Sequence, residues 1–247
     1  MLGAYLSYTL RESWRRRRLV VLLLIGLSAT LAGGLLVLGE ARALGATLIA
    51  NLRLLQVYLL FPLALLGGLA LGRRAVAEIT SPSWRSFGPT RLHGAAAPLG
   101  GMILGTTLGV FLVLFIISVI LGLLIWLFGG LTAGFNPLLP LQLLPAALFA
   151  ACLGGLCAAL RDKAGLTLGL TVLAVAYYAP LLWSKLQFGL PALRPLMIEL
   201  LFGARFQTAG LFTLATVQLL LYCLLFFFLS LFRINGDWYA PRPDDGR

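Results

Sequence analysis

The sequence predicts an all-α, polytopic integral membrane protein with six transmembrane helices, and three observations predict it. Apolar residues make up 60% of the 247 residues, while charged ones make up 11%. One soluble core cannot bury that share of apolar surface, so lipid must act as part of the solvent. Apolar runs of about 20 residues recur along the whole chain, the length that crosses a bilayer as a helix. The short alternating segments that a membrane barrel requires are missing from the sequence.

The N-terminal stretch 1–18, MLGAYLSYTLRESWRRRR, opens the chain. At helical spacing Leu2, Tyr5, Leu6, Tyr8 and Leu10 sit apart from Arg11, Glu12 and Ser13. That pattern predicts an elbow helix lying in the membrane interface with its rings at headgroup depth. A frayed tail whose arginines only set orientation is the plainer alternative. Spans are expected at 19–38, 54–71, 102–128, 141–160, 164–183 and 211–232. The third is long enough to tilt. No cleavable signal peptide is expected, because the first long apolar run is of span length and no small-residue cleavage site ends it early.

Orientation follows from Lys and Arg counted by loop. With the N-terminus inside, the inner side holds Arg11, Arg15, Arg16, Arg17, Arg18, Arg73, Arg74, Arg85, Arg91, Arg161, Lys163, Arg233, Arg242 and Arg247. The outer side holds only Arg42, Arg53, Lys185, Arg194 and Arg205. Both termini are therefore expected in the cytoplasm. The net charge of +11 lies between spans, which points to anionic lipid and topology rather than nucleic acid. The outer segment 184–210 has apolar pieces too short to span, broken by Gly189, Pro191 and Pro195. It suits re-entrant or interfacial half-helices. The stretch 234–247 is polar and Pro-rich, and is expected to be a disordered tail.

Glycines recur at a spacing of four, as in Gly101, Gly105 and Gly109, and again Gly165 and Gly169. Small residues at that spacing let helix backbones approach closely, here more readily within the chain than between copies. Cys152, Cys157 and Cys223 all fall in apolar runs and read as packing residues, with neither disulfide nor metal spacing.

Motifs for chemistry are absent from the sequence. There is one histidine, His93, so HExxH and His-based metal clusters are excluded. No GxSxG elbow occurs. No Gly-rich loop ends in Lys-Ser or Lys-Thr, so ATP is not held in the P-loop manner. The predicted spans carry neither paired carboxylates nor mid-membrane ionisable groups of the kind ion carriers use. The expectation is a chain that is not an enzyme, with no catalytic residues, no metal and no cofactor of its own.

The longest polar break is 73–97, RRAVAEITSPSWRSFGPTRLHGAAA. It holds Arg73, Arg74, Arg85 and Arg91, a single acid in Glu78, the lone His93, Trp84 and two prolines before the third span. So basic a loop reads as a surface that something in the cytoplasm holds.

The layout, with Glu78-Ile-Thr-Ser-Pro-Ser-Trp-Arg-Ser-Phe-Gly-Pro-Thr-Arg in this loop, resembles the permease (transmembrane) subunit of an ABC transporter of the type-2 exporter class. That family has an elbow helix, six spans, a cytoplasmic coupling helix between the second and third, and re-entrant helices before the sixth. Its pattern of an acid, Gly-Thr, an apolar stretch and a proline is matched by Glu78, by Trp84 and Phe87, and by Pro89. Ser81-Pro82-Ser83 stands where Gly-Thr is usual, and the Lys that customarily opens the third span is missing.

The resemblance implies a transmembrane domain over 1–233 in a bacterial-type inner membrane, paired with a second permease copy or paralogue. It also implies an ATPase subunit that binds ATP and Mg and docks on Glu78, Trp84, Arg85, Phe87, Pro89 and Arg91. Headgroup anchoring explains Trp84 nearly as well, and orientation alone explains the arginines. A hydrophobic or amphipathic substrate would pass by alternating access. Candidate path residues are Arg53, Gln56, Tyr58, Tyr177, Tyr178 and Glu199. An interfacial aromatic belt with a snorkelling arginine accounts for most of the same groups and is the reading the residues favour. A heme-export or cytochrome-maturation membrane subunit, or a membrane-embedded lipid-processing enzyme, are the alternative functions.

Overall fold

A computed structural model of the chain describes residues 2–40, 45–81, 94–129, 139–160, 165–175 and 214–239. All regular structure among the described residues is helical. The helices are α1 (Leu2–Arg15), α2 (Arg18–Glu40), α3 (Gly45–Ile79), α4 (Ala96–Gly129), α5 (Leu139–Gln142), α6 (Leu144–Ala159), α7 (Gly165–Val175) and α8 (Leu214–Tyr239).

Four helical segments are long and apolar enough to cross a membrane: Leu59–Ile79, Ala96–Leu124, Leu139–Ala159 and Val217–Gly236. This is the make-up of a multi-pass membrane protein. Two shorter apolar helices, Arg18–Gly33 and Gly165–Val175, accompany them among the described residues. Proline falls where a helix tolerates it. Pro145 sits in the first turn of α6, where its missing N–H would have no helical partner. Pro62 lies inside α3, a placement that membrane helices accept when neighbours support the backbone.

α3 is the hub, packed against α2, α4 and α6. Its closest partner is α6, and the reason is glycine. A Cβ on Gly68 would lie 2.7 Å from the Ala147 carbonyl oxygen, and one on Gly72 would lie 2.4 Å from that of Ala151. From the other side, a Cβ on Gly154 would lie 2.3 Å from the Leu69 oxygen. The two backbones therefore touch directly and run in the same direction, as small residues in membrane helices allow. Gly26 of α2 faces Leu63 of α3 and Ile117 of α4, while Leu22 of α2 meets Gly67 of α3 and Leu19 of α2 meets Gly109 of α4. Thus α2 runs parallel to α4 and antiparallel to α3. On α6, Phe149 stacks on Phe226 of α8 at 5.6 Å between ring centroids.

Several buried hydroxyls bond a carbonyl of their own helix, as an apolar surround favours. Thr30 donates to the Gly26 carbonyl, Thr107 to Ile103 and Ser230 to Phe226, at 2.7, 2.9 and 2.7 Å.

α3 and α4 begin earlier than expected, at Gly45 and Ala96, and three further departures bear on the packing. α3 continues past Leu71 to Ile79, because Ala75, Val76 and Ile79 are buried and carry the helix two turns beyond the apolar run. α8 continues past the expected end of the last span to Tyr239, so 234–239 is helix and not the start of a disordered tail, because Ile234 is buried and Asn235 bonds the chain at Ala95. The third concerns α1, expected as an elbow helix with its rings at headgroup depth and with no partner assigned to its polar side. Thr9, Glu12 and Ser13 are instead buried, while Leu2, Tyr8 and Trp14 are exposed. The cause is the Gly101, Gly105 and Gly109 stripe of α4. A Cβ on Gly101 would meet the Leu2 carbonyl oxygen at 2.8 Å, and one on Gly105 the Leu6 oxygen at 2.9 Å. α1 lies along that stripe, with Tyr5 Cβ against Gly101 and Thr9 Cβ against Gly105, which buries Thr9. The glycine spacing does serve contacts within the chain.

Candidate functional site where α1, α2 and α3 meet

The described residues gather charge in one place, at the junction of α1, α2 and the end of α3. Arg17 makes the junction. Its φ of 56° is left-handed, a conformation that a non-glycine side chain adopts only at some cost. The Arg16 N–H donates to the Glu12 carbonyl and the Arg17 N–H to that of Trp14, closing α1. The Val21 N–H then donates to the Arg17 carbonyl at 2.9 Å and opens α2. This one reversal brings the side chains of Arg16 and Arg18, on either side of it, to the same carboxylate.

That carboxylate is Glu78. Arg18 Nη2 donates to its Oε1 at 2.9 Å, and Arg16 Nη1 lies 3.3 Å from the same oxygen. Arg16 Nε also donates to Oε1 of Glu12, whose Oε2 lies 3.4 Å from Arg15 Nε. Charges therefore alternate along a chain: Arg15, Glu12, Arg16, Glu78, Arg18. Glu12, Arg18 and Glu78 are sheltered, at 9%, 14% and 20% exposed, whereas Arg15 and Arg16 face outward, so the Arg18–Glu78 pair is the part that exceeds an ordinary surface ion pair. Hydrogen bonding to Glu12, then the charge of Glu78, pushes the Arg16 guanidinium up, so it is a fixed cation.

Around the network lies an open recess of 470 Å³ lined by Tyr8, Arg16, Arg18, Arg74, Ala77, Glu78 and Ser81. Burial, followed by the charges of Glu78 and Glu12, raises the Tyr8 phenol above its ordinary value of 10.0. Ser81 turns its hydroxyl back to the Glu78 carbonyl at 2.6 Å and ends α3 there. The chain then enters 82–93. The lining offers many N–H donors and a positive balance, which suit an anion.

Comparison with known families, with curated proteins and with solved structures finds no match. The site therefore stands on its own geometry.

Of the residues singled out from the sequence, Glu78 is placed in this network, with partners from its own chain. Arg53, Gln56 and Tyr58 lie on the first half of α3, with side chains outside the description. Trp84, Arg85, Phe87, Pro89, Arg91, Tyr177, Tyr178 and Glu199 lie outside the described residues, as does the segment 184–210. Sequence reasoning missed Tyr8, Glu12, Arg16, Arg18 and Arg74 as members of one site. A signal was present: Glu78 is the single acid in a basic loop assigned to the same side as the arginine run 15–18.

Proposed function

We propose that this chain is the membrane-spanning permease subunit of an ATP-driven ABC exporter of the type-2 class. In this reading α2, α3, α4, α6, α7 and α8 cross a bacterial-type inner membrane, both termini are cytoplasmic, and two such chains or close paralogues pair. A separate ATPase subunit binds ATP and Mg and docks on the part of 73–97 that follows α3. The substrate is hydrophobic or amphipathic.

One observation carries the reading: the bond from Arg18 to Glu78, with Arg16 on the same oxygen. It fastens the start of α2 and the end of α1 to the last turn of α3, immediately before the proposed docking loop. A force applied at 82–93 enters α3 at its end and reaches α1 and α2 through charge contacts. A hub helix that touches α2, α4 and α6 then distributes it. That is a mechanical linkage suited to a subunit driven from outside. The parallel and antiparallel packing of α2, α3 and α4 fits an up-and-down arrangement, and the sequence's positive-inside bias fits the orientation.

The test is affinity purification from native membranes in mild detergent, for the wild type and for Trp84→Ala combined with Arg85→Ala. The reading expects a stoichiometric ATP-binding protein that the double variant loses. An ATPase that remains bound moves the contact to other residues, and absence of any ATPase across several detergents removes the transporter.

A further inference from the structure

We propose that the recess between α1, α2 and the end of α3 is a binding site for an anionic phospholipid, whose phosphate sits on Arg16, Arg18 and Arg74. This rests on the multi-pass membrane architecture and not on the transporter reading.

Charge comes first. Three guanidinium groups line the recess against one carboxylate, Glu78. Glu78 Oε1 engages Arg18 and Arg16, and Arg16 is further engaged by Glu12. Arg74 is exposed and makes no ion pair with the described residues. Each guanidinium has five N–H donors and no acceptor, so the network leaves most of them unused. A phosphodiester has the charge and the acceptors that match.

Depth comes second. Arg18 is the first residue of α2, and Glu78 lies at the end of the membrane-length segment Leu59–Ile79. The recess therefore lies where the apolar part of the bundle gives way to polar chain, at headgroup level. Tyr8 contributes a phenol there, and Trp14 of α1 is exposed nearby in sequence.

The third observation separates a lipid from a free phosphate. Arg74 and Ala77 lie on an exposed stripe of α3 that continues at helical spacing through Ala70 and Leu66. Leu66 is 54% exposed. From Arg74 to Leu66 is about 12 Å along the helix. A phosphate on Arg74 thus has an apolar track beneath it of the length an acyl chain's first methylenes cover. A free anion would have no use for that track.

The experiment is native mass spectrometry of the full chain released from detergent, titrated with phosphatidylglycerol and with phosphatidylcholine. One phosphatidylglycerol should be retained in preference to phosphatidylcholine. Arg74→Gln should weaken it about fivefold, as expected for one cation at the membrane surface. That variant breaks no ion pair of the described fold, and gel filtration checks that it stays intact. Arg233→Gln removes an equal charge from an exposed position on α8 and should change nothing. Equal retention of the two lipids overturns the site, and so does an equal loss in both variants, which would mean generic surface charge. Displacement of the lipid by millimolar inorganic phosphate would also overturn it and assign the recess to a soluble anion.

Discussion

Arg18 and Glu78 lie 60 positions apart in sequence and meet at 2.9 Å, with the guanidinium donating to a carboxylate that Arg16 also approaches. This contact fixes the start of one apolar helix to the end of the next. Glu78→Gln should destabilise the chain more than Arg18→Gln does, because it leaves two arginines facing each other without their shared anion. The coupling between the two positions in a double-variant cycle should be about 1 kcal/mol, the upper range for a partly sheltered pair. Thermal unfolding in detergent, followed by loss of the monodisperse gel-filtration peak, measures it. Strictly additive effects would mean that the contact is incidental.

Gly154 gives the sharpest packing test. A methyl there would stand 2.3 Å from the Leu69 oxygen and 2.8 Å from the Arg73 nitrogen. Both are backbone atoms and cannot swing aside, so α3 and α6 must separate. Gly154→Ala should cost about 1–3 kcal/mol, the range for overpacking a close contact. Gly236 meets nothing within 4 Å, so Gly236→Ala should be neutral or stabilise by up to about 1 kcal/mol through helix propensity. The same gel-filtration melt compares the two. Equal behaviour would refute the close approach of α3 to α6.

The apolar helices were legible because lipid imposes a length and a composition that no soluble fold needs. The Gly101, Gly105 and Gly109 stripe was legible as a close-contact surface for the same reason. Its partner was not. The separation of apolar from polar residues on α1 marked an interfacial helix but named no partner for its polar side. In a membrane protein the outside also includes lipid, so Leu2 and Trp14 can face outward while Thr9 packs against Gly105. The arginine site was half legible. Charge counting put Arg18 and Glu78 on one side of the membrane, but their contact depends on the left-handed turn at Arg17, which no sequence pattern marks. Gly68, Gly72 and Gly154 escaped notice because close approach takes two helices, and the sequence displays them one at a time.

Tyr8 sets an alkaline limit. Burial, helped by Glu78 and Glu12, raises its phenol above 10.0 in the folded state. The folded chain therefore holds this proton at a pH where the unfolded chain has released it. By linkage, stability falls as pH rises beyond 10, because the unfolded state then binds fewer protons. Tyr8→Phe removes this dependence, so the difference in melting temperature between wild type and variant should shift in the variant's favour above pH 10. Below pH 9 the difference should be flat. Melting curves from pH 8 to 11 test this, and a flat difference over the whole range would contradict it.

Asn235 ties the last helix to the start of the third apolar one. Its Oδ1 accepts from the Ala95 N–H at 3.3 Å, and the Leu99 N–H donates to the Ala95 carbonyl at 3.0 Å to begin α4. Ala95 has no polar side chain with which to cap, and Gly94 reaches it from a φ of 66°, so the N–H just before α4 is held by a distant side chain. Asn235→Ala should cost about 0.5–1.5 kcal/mol, the value of a typical hydrogen bond, and Asn235→Asp should recover much of it by keeping an acceptor. The same contact predicts where the C-terminal end stops being dispensable. Removal of 240–247 leaves Asn235 and the buried Ile234 in place and should leave the melting temperature within about 2 °C, as for surface changes. Removal from 234 onward takes both and should lower it sharply. If the two truncations melt alike, Asn235 does not hold α4, and the helical extension of α8 past residue 233 contributes nothing to the fold.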